Sequence, residues 1–121
     1  MKNKPLKAAK LPPTEAKAFQ GLRIFPLTPQ GTGPFSALLI TVEPNAHLPE
    51  IYHAKTFEFF YVLKGAASGH IDGKPIRFRK GEYAFMPPGM THDLRAGRTR
   101  LEALAIFSPG LDLKKPDVVN V

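Results

Sequence analysis

Cysteine is absent from this sequence of 121 residues, which excludes disulfide bonds, thiolate metal ligands and a cysteine nucleophile. Long apolar runs are absent too. Runs such as residues 59–63 and 37–40 fall far short of the ~18 residues that a membrane span requires. Before Phe19, no apolar stretch resembles the core of a signal peptide. These absences predict a cytoplasmic protein with no membrane partner.

Acidic residues are outnumbered by basic ones, 10 to 17, which gives a formal net charge of +7. Residues 1–20 hold five lysines and one glutamate, a net +4 of that +7. No aromatic side chains lie between these lysines, as a nucleic-acid stacking site would require. Arg77 and Arg79 alternate with Ile76 and Phe78, as on a solvent-facing strand. The distribution of the basic residues favours a solvated surface over a nucleic-acid-binding site.

Proline and glycine are abundant, with thirteen prolines and ten glycines. This favours short strands joined by tight turns over long helices, and therefore an all-β fold. A chain of 121 residues suffices for one hydrophobic core and one domain. Residues 1–18 carry few large apolar side chains, so we expect a basic, mobile arm there and a single domain at residues 19–121.

Short β-branched and aromatic runs predict the strands. They lie at residues 22–27, 35–42, 57–63, 66–71, 76–79, 83–86 and 100–107. The prolines within residues 43–49 predict that the chain leaves any strand ladder there. The tail after residues 108–110 is polar and is not expected to form a strand. About eight short strands with regular turns suit a jelly-roll barrel.

The strand at residues 57–63 is apolar on both faces, except at Glu58. Phe57, Phe59 and Tyr61 share one face, and Phe60 lies on the other face with Glu58. A strand with two apolar faces is either central in a layered core or covered by a partner molecule. The second option predicts a homo-oligomer, with a homodimer as the simplest form.

Glu58 shares its face with Phe60 and Val62, and an ionised, unpaired carboxylate buried there would cost several kcal/mol. Three explanations are open: a bound metal ion, a buried arginine, or a position at an exposed sheet edge. His53 and His92 alone are each more typical of hydrogen-bonded structural histidines.

Two spacings connect these residues. Gly81, Pro87, Gly89 and His92 follow one another in a pattern that resembles the second conserved motif of the cupin superfamily. Glu58, followed by Gly65 and preceded by His53, resembles the end of the first motif. The resemblance covers about residues 49–96 and suggests a small, single-domain RmlC-like cupin. It implies an all-β, double-stranded β-helix (jelly-roll) cupin barrel.

The same resemblance implies one divalent metal ion held by His53, Glu58 and His92. Two positions depart from the pattern: Ile51 replaces the first histidine of the first motif, and Ala96 replaces an asparagine of the second. Two imidazoles and one carboxylate suit Fe, Mn, Ni or Zn and leave coordination positions open.

A metal-dependent enzyme acting on a small organic molecule is therefore expected, with dioxygenase or other oxidoreductase chemistry as the first hypothesis. The alternative is a metal-free or non-catalytic cupin that binds a small ligand or regulates, and Ile51 favours the metal-free form. A third possibility is a zinc or nickel site without turnover. No catalytic residue and no other cofactor is assigned.

The substrate pocket is predicted from proximity to the motif residues. Its candidate lining residues are Ile51, Phe60, Phe85 and Met86. An apolar pocket would favour a small, weakly polar or aromatic ligand over a sugar phosphate, which needs clustered arginines.

Two further histidines are considered as ligands. His47 has the same strand parity as Ile51 and His53, but an extended chain separates it from His53 by ~20 Å. Parity turns Glu50 away from the site unless the strand is bulged. His70 adjoins Ile71 in a hairpin strand and is expected to face solvent, although a barrel interior would make it a candidate acid or base.

Overall fold

The structure, a computed structural model, describes residues 10–11, 17–29 and 33–121. These residues form eleven β-strands and no helix. The strands are β1 Lys17–Phe19, β2 Leu22–Pro26, β3 Ser36–Val42, β4 His47–His53, β5 Phe57–Lys64, β6 Ala66–Ile71, β7 Lys74–Arg79, β8 Tyr83–Met86, β9 His92–Ala96, β10 Leu101–Ser108 and β11 Val118–Asn120. Most of the predicted arm at residues 1–18 lies outside the described residues, but residues 17 and 18 pair with β2.

Two antiparallel sheets face each other. One has six strands in the order β1-β2-β3-β10-β5-β8, and the other has five in the order β11-β4-β9-β6-β7. The all-β, double-stranded β-helix prediction is confirmed. Within the described ranges, no helix has the length and hydropathy needed to cross a membrane.

The core lies between the inner faces of the two sheets. Alternation along β5 buries Glu58, Phe60 and Val62 while leaving Phe57 exposed, as the sequence predicts. Val62 has no exposed surface, and Leu101 on the neighbouring β10 has none either. Glu58 is therefore an acid placed on the inner face of an apolar barrel.

Residues 43–49 were predicted to lie outside any strand ladder. This prediction is wrong for residues 47–49, because β4 begins at His47. A β-bulge lies between Leu48 and Ile51 and contains Pro49, whose missing N–H is tolerated where ladder pairing is interrupted. The extra residue in the bulge places Leu48 opposite Leu94 in the interior.

The prediction of a strandless tail is also wrong. β11 pairs with β4, with Val118 opposite His53. Before β11, Leu111 and Leu113 are buried in the core, and the backbone N–H of Ala54 donates to the carbonyl oxygen of Asp117 at 2.9 Å. The tail therefore packs behind the end of β4.

Candidate metal centre

Three strands bring His53, Glu58 and His92 together inside the barrel. His53 is the last residue of β4, Glu58 is the second residue of β5, and His92 is the first residue of β9. One ligand atom from each lies within 4.8 Å of the other two. His53 and Glu58 are buried, and His92 is partly buried. The three residues of the predicted triad are thus contributed by both sheets.

The ligand atoms converge on one carboxylate oxygen. The Nε2 atom of His53 lies 3.4 Å from Oε1 of Glu58, and the Nε2 atom of His92 lies 3.5 Å from the same oxygen. The two imidazole rings are 5.9 Å apart and nearly parallel, with an interplanar angle of 21°. A cation between these atoms would meet two nitrogens and one oxygen.

Each imidazole is oriented through its second nitrogen. The Nδ1–H of His92 donates to the carbonyl oxygen of Met90 at 3.1 Å. The Nδ1–H of His53 donates to Oδ1 of Asp117 at 3.0 Å. With the protons on Nδ1, both Nε2 lone pairs face Glu58, which is the tautomer that binding a metal requires.

Asp117 is a site residue that sequence reasoning missed. Its other oxygen, Oδ2, accepts from the Thr56 hydroxyl at 2.6 Å and from the Lys55 backbone N–H at 2.8 Å. Burial alone would raise the pKa of Asp117, but hydrogen bonds from Thr56, Lys55 and His53 outweigh it and lower the pKa from 3.8 to about 2. No spacing motif links Asp117 to His53; the only local signal is a short β-branched run after Pro116.

The site also stabilises positive charge. Burial would lower the pKa of His53, but hydrogen bonding and charge attraction from Glu58, followed by those from Asp117, raise the pKa above its usual 6.5. The carboxylates that favour a proton on His53 would equally attract a metal cation. The donor set and its electrostatics therefore fit a divalent transition metal.

Apolar side chains surround the triad. Ile51 and Ile71 pair with His92 from its two neighbouring strands, and Phe107 packs edge-on against His53 at 5.2 Å between ring centroids. Met86 pairs with Glu58 across the β5–β8 ladder. Ile51 therefore occupies the side of β4 on which a further histidine ligand would face His92.

One predicted lining residue must be corrected. Ile51, Phe60 and Met86 belong to the inner face, but Phe85 is 57% exposed on the outside and stacks on Phe57 at 5.9 Å. The reason is strand parity: Met86 pairs with inward-facing Glu58, so its neighbour Phe85 must point outward.

His47 and His70 do not join the triad. The bulge in β4 turns His47 outward, and its Nε2 lies 3.0 Å from Oδ2 of Asp93. The side chain of His70 is 52% exposed, as predicted, and its Nδ1 lies 3.0 Å from Oδ1 of Asp93. Glu50 is not part of the converging group either. The sequence did not indicate this cluster, because it depends on the bulge and on the order of β4, β9 and β6.

Fold and site together define a small double-stranded β-helix protein with two histidines and a glutamate converging in its interior. The family profile described as "Cupin domain" matches residues 38–107, more than half of the chain. The protein belongs to the cupin family.

Two relatives and one solved structure illustrate the similarity. An uncharacterised protein of Aquifex aeolicus (strain VF5) is 38% identical over 63 residues, 52% of each chain, so the match spans about half of that protein's length. Protein SchB of Streptomyces halstedii is 31% identical over 97 residues, 78% of this chain and 70% of that one. The Streptomyces nucleoside dehydratase Pac13 shares the fold, with a TM-score of 0.73 at 14% identity over 88% of this chain and 83% of that chain.

Proposed function

We propose that His53, Glu58 and His92 bind one divalent transition metal ion and that the protein is a metal-dependent enzyme acting on a small organic molecule. One observation carries the proposal: both Nε2 atoms face a single Glu58 oxygen, while each Nδ1 is held by an acceptor behind it. An imidazole whose Nδ1–H is held by an acceptor presents its Nε2 lone pair in a fixed direction. This arrangement is typical of a metal ligand more than of a histidine with only a structural role.

The reaction type follows from the donor set. Two imidazole nitrogens and one carboxylate are the ligands of non-haem iron oxygenases, and a bound metal of this type would activate oxygen or water at its open positions. We therefore propose oxygenase-type chemistry first, with Fe, Mn, Ni or Zn as the metal. Pac13, a nucleoside dehydratase crystallised with uridine, supports small organic molecules as ligands of this fold.

The surrounding residues define what the protein itself contributes. Asp117 and the Met90 carbonyl keep the two Nδ1 protons in place, so the triad is ready for a cation before one binds. Ile51 and Ile71 flank His92, the most exposed of the three residues, and make its two sides apolar. A small, weakly polar or aromatic substrate would suit these apolar surroundings best.

A second candidate function has a specific observation in its favour. Ile51 places an aliphatic side chain opposite His92, where a further imidazole would strengthen the site. A metal-free cupin that binds or senses a small ligand would tolerate this replacement. The two functions differ in whether the purified protein carries metal.

The test is elemental analysis of untagged protein purified without chelator, beside His92→Ala and the matched control His70→Ala. His70 is also a strand histidine paired to a polar group, but it lies outside the triad. We expect near-stoichiometric metal in the wild type and the control and its loss in His92→Ala. Metal absent from all three, even after reconstitution with iron, manganese and zinc, would favour the metal-free function.

We also propose that the protein is a homodimer formed by the outer face of the six-stranded sheet. Phe57, Tyr83, Phe85 and Ile106 are all at least 36% exposed there, and Phe57 stacks on Phe85. This uncharged aromatic surface is suited to a second copy of itself. Sedimentation should give twice the 13.3 kDa chain mass, and Phe85→Lys should give a monomer that stays folded. A wild-type monomer at high concentration would refute the proposal.

A further inference from the structure

A second pocket lies on the opposite side of the five-stranded sheet from the metal centre. Its volume is about 490 Å³, the size of a small-metabolite site. Its polar lining consists of His47, Ser68, His70, Arg77, Asp93 and Arg95. On β9, His92 points into the barrel while Asp93 and Arg95 point into this pocket, so the two sites are distinct.

Two arginines flank a hydroxyl group in the pocket. Arg95 on β9 and Arg77 on β7 are the cross-strand partners of Ser68 on β6, which lies between those two strands. Side chains paired in this way have Cβ atoms ~5 Å apart, so both guanidinium groups can reach an oxyanion placed above Ser68. Guanidinium groups form paired hydrogen bonds with phosphate oxygens, and a serine hydroxyl adds a further donor.

The arginines are available for a ligand. Arg77 makes no side-chain hydrogen bond or ion pair with any described residue. Arg95 makes one long bond, from Nη1 to the carbonyl oxygen of Asn45 at 3.3 Å. Neither arginine is neutralised by Asp93, although that carboxylate lines the same pocket.

Asp93 is instead held by the histidines. Its Oδ2 lies 3.0 Å from Nε2 of His47, and its Oδ1 accepts from the His70 backbone N–H at 2.6 Å and lies 3.0 Å from Nδ1 of His70. Burial would raise the pKa of Asp93, but these contacts lower it. Among the described residues, His47, His70 and Asp93 do not form a converging group of metal ligands, so the two imidazoles serve to hold the Asp93 carboxylate.

We propose that this pocket binds the phosphate group of a small, soluble phosphorylated molecule through Arg77, Arg95 and Ser68. Among the described residues, no phenylalanine or tyrosine lines the pocket, and its two imidazoles, His47 and His70, are held by Asp93, so it does not resemble the aromatic platform of a single-strand nucleic-acid site. The inferred ligand differs from the weakly polar molecule proposed for the barrel interior, and the inference does not depend on that interior function.

The test is a titration of the whole protein with inorganic phosphate and with glycerol phosphate, at constant pH and ionic strength, followed by amide NMR. We expect saturable shifts in β6, β7 and β9 with both probes, and weaker binding of acetate. Arg77→Ala and Arg95→Ala should each weaken phosphate binding about tenfold or more. The matched control is Arg79→Ala, which removes an exposed arginine of β7 that does not line the pocket and should change binding less than about twofold.

Circular dichroism and melting temperature establish that the three variants are folded, which their exposed positions predict. Equal losses in all three would indicate a diffuse basic surface and would overturn the site. Acetate binding as tightly as phosphate would overturn the phosphate assignment. Binding only to phosphatidic acid vesicles or to heparin, with no saturation by the soluble probes, would overturn the small-molecule ligand.

Discussion

Asp117→Asn tests whether Asp117, in the tail of the chain, orients the His53 imidazole for metal binding. The substitution keeps the size of the side chain but removes the charge that accepts from His53, Thr56 and Lys55. Because the acceptor that fixes the His53 tautomer is weakened, zinc affinity should fall about 10- to 100-fold. The assay is competition for zinc against a chromophoric chelator, which needs no knowledge of substrate. The control is Asp112→Asn in the same tail, since Asp112 is exposed and, among the described residues, its carboxylate accepts only from the nearby Lys114 N–H.

Without bound metal, the Asp117→Asn variant should also be less stable than the wild type. A carboxyl pKa lowered from 3.8 to about 2 means that the folded state favours the charged form of Asp117 by roughly 2 kcal/mol. The side chain is 19% exposed, so solvent screening removes little of this energy. For a domain of this size the melting temperature should fall by roughly 8 °C in Asp117→Asn.

The pH dependence has a defined sign. Because the folded pKa of Asp117 is the lower one, its contribution is present above the unfolded pKa of 3.8 and is lost as the pH falls towards 2. The stability difference between wild type and Asp117→Asn should therefore shrink across that range. Zinc affinity unchanged in Asp117→Asn, or reduced equally in Asp112→Asn, would refute the role assigned to Asp117.

Two further substitutions test the geometry of the barrel. Ile51→His should tighten zinc binding, because residue 51 faces His92 across the ladder; chelator competition showing no gain would mean that residue 51 does not face the metal. Gly69→Ala should destabilise the protein by about 1–3 kcal/mol, because its new Cβ would collide with the Asp93 carbonyl oxygen. Gly33→Ala is the control, because its Cβ meets no atom of the described residues closer than 4.0 Å; equal melting temperatures for the two variants would contradict the close packing of β6 on β9.

Local patterns in the sequence were sufficient for the all-β class, whereas the triad was implied only by the resemblance to the cupin motifs. Alternation along β5 identified the inner and outer faces correctly, because the strand pairs with β10 in one register from Phe57 to Val62, before a shift near its end. The two motif spacings selected His53, Glu58 and His92, which the structure brings within 4.8 Å of one another. The strand faces could be predicted because alternation is short-range order that a strand enforces. The grouping of the three residues depends on the pairing of distant strands, which the family motifs imply and alternation does not.

The remaining features depend on pairings between distant segments. Asp117 contacts His53 across 64 residues, and the sequence carries no periodicity that predicts such a contact. The Asp93 cluster requires β9 to lie between β4 and β6, an order that alternation cannot supply. The outward position of Phe85 likewise depends on a pairing, that of Met86 with inward-facing Glu58, which alternation within β8 alone does not supply.

The bulge in β4 has a consequence for how the histidines are divided. In the sequence, His47 and His53 are six residues apart and therefore in phase for an alternating strand. The extra residue between Leu48 and Ile51 shifts that phase by half a period, so His47 faces Asp93 outside while His53 faces Glu58 inside. One inserted residue is thus enough to move a histidine from the inner to the outer surface of the barrel without any substitution. Insertions and deletions in this segment can redistribute metal ligands as effectively as substitutions can.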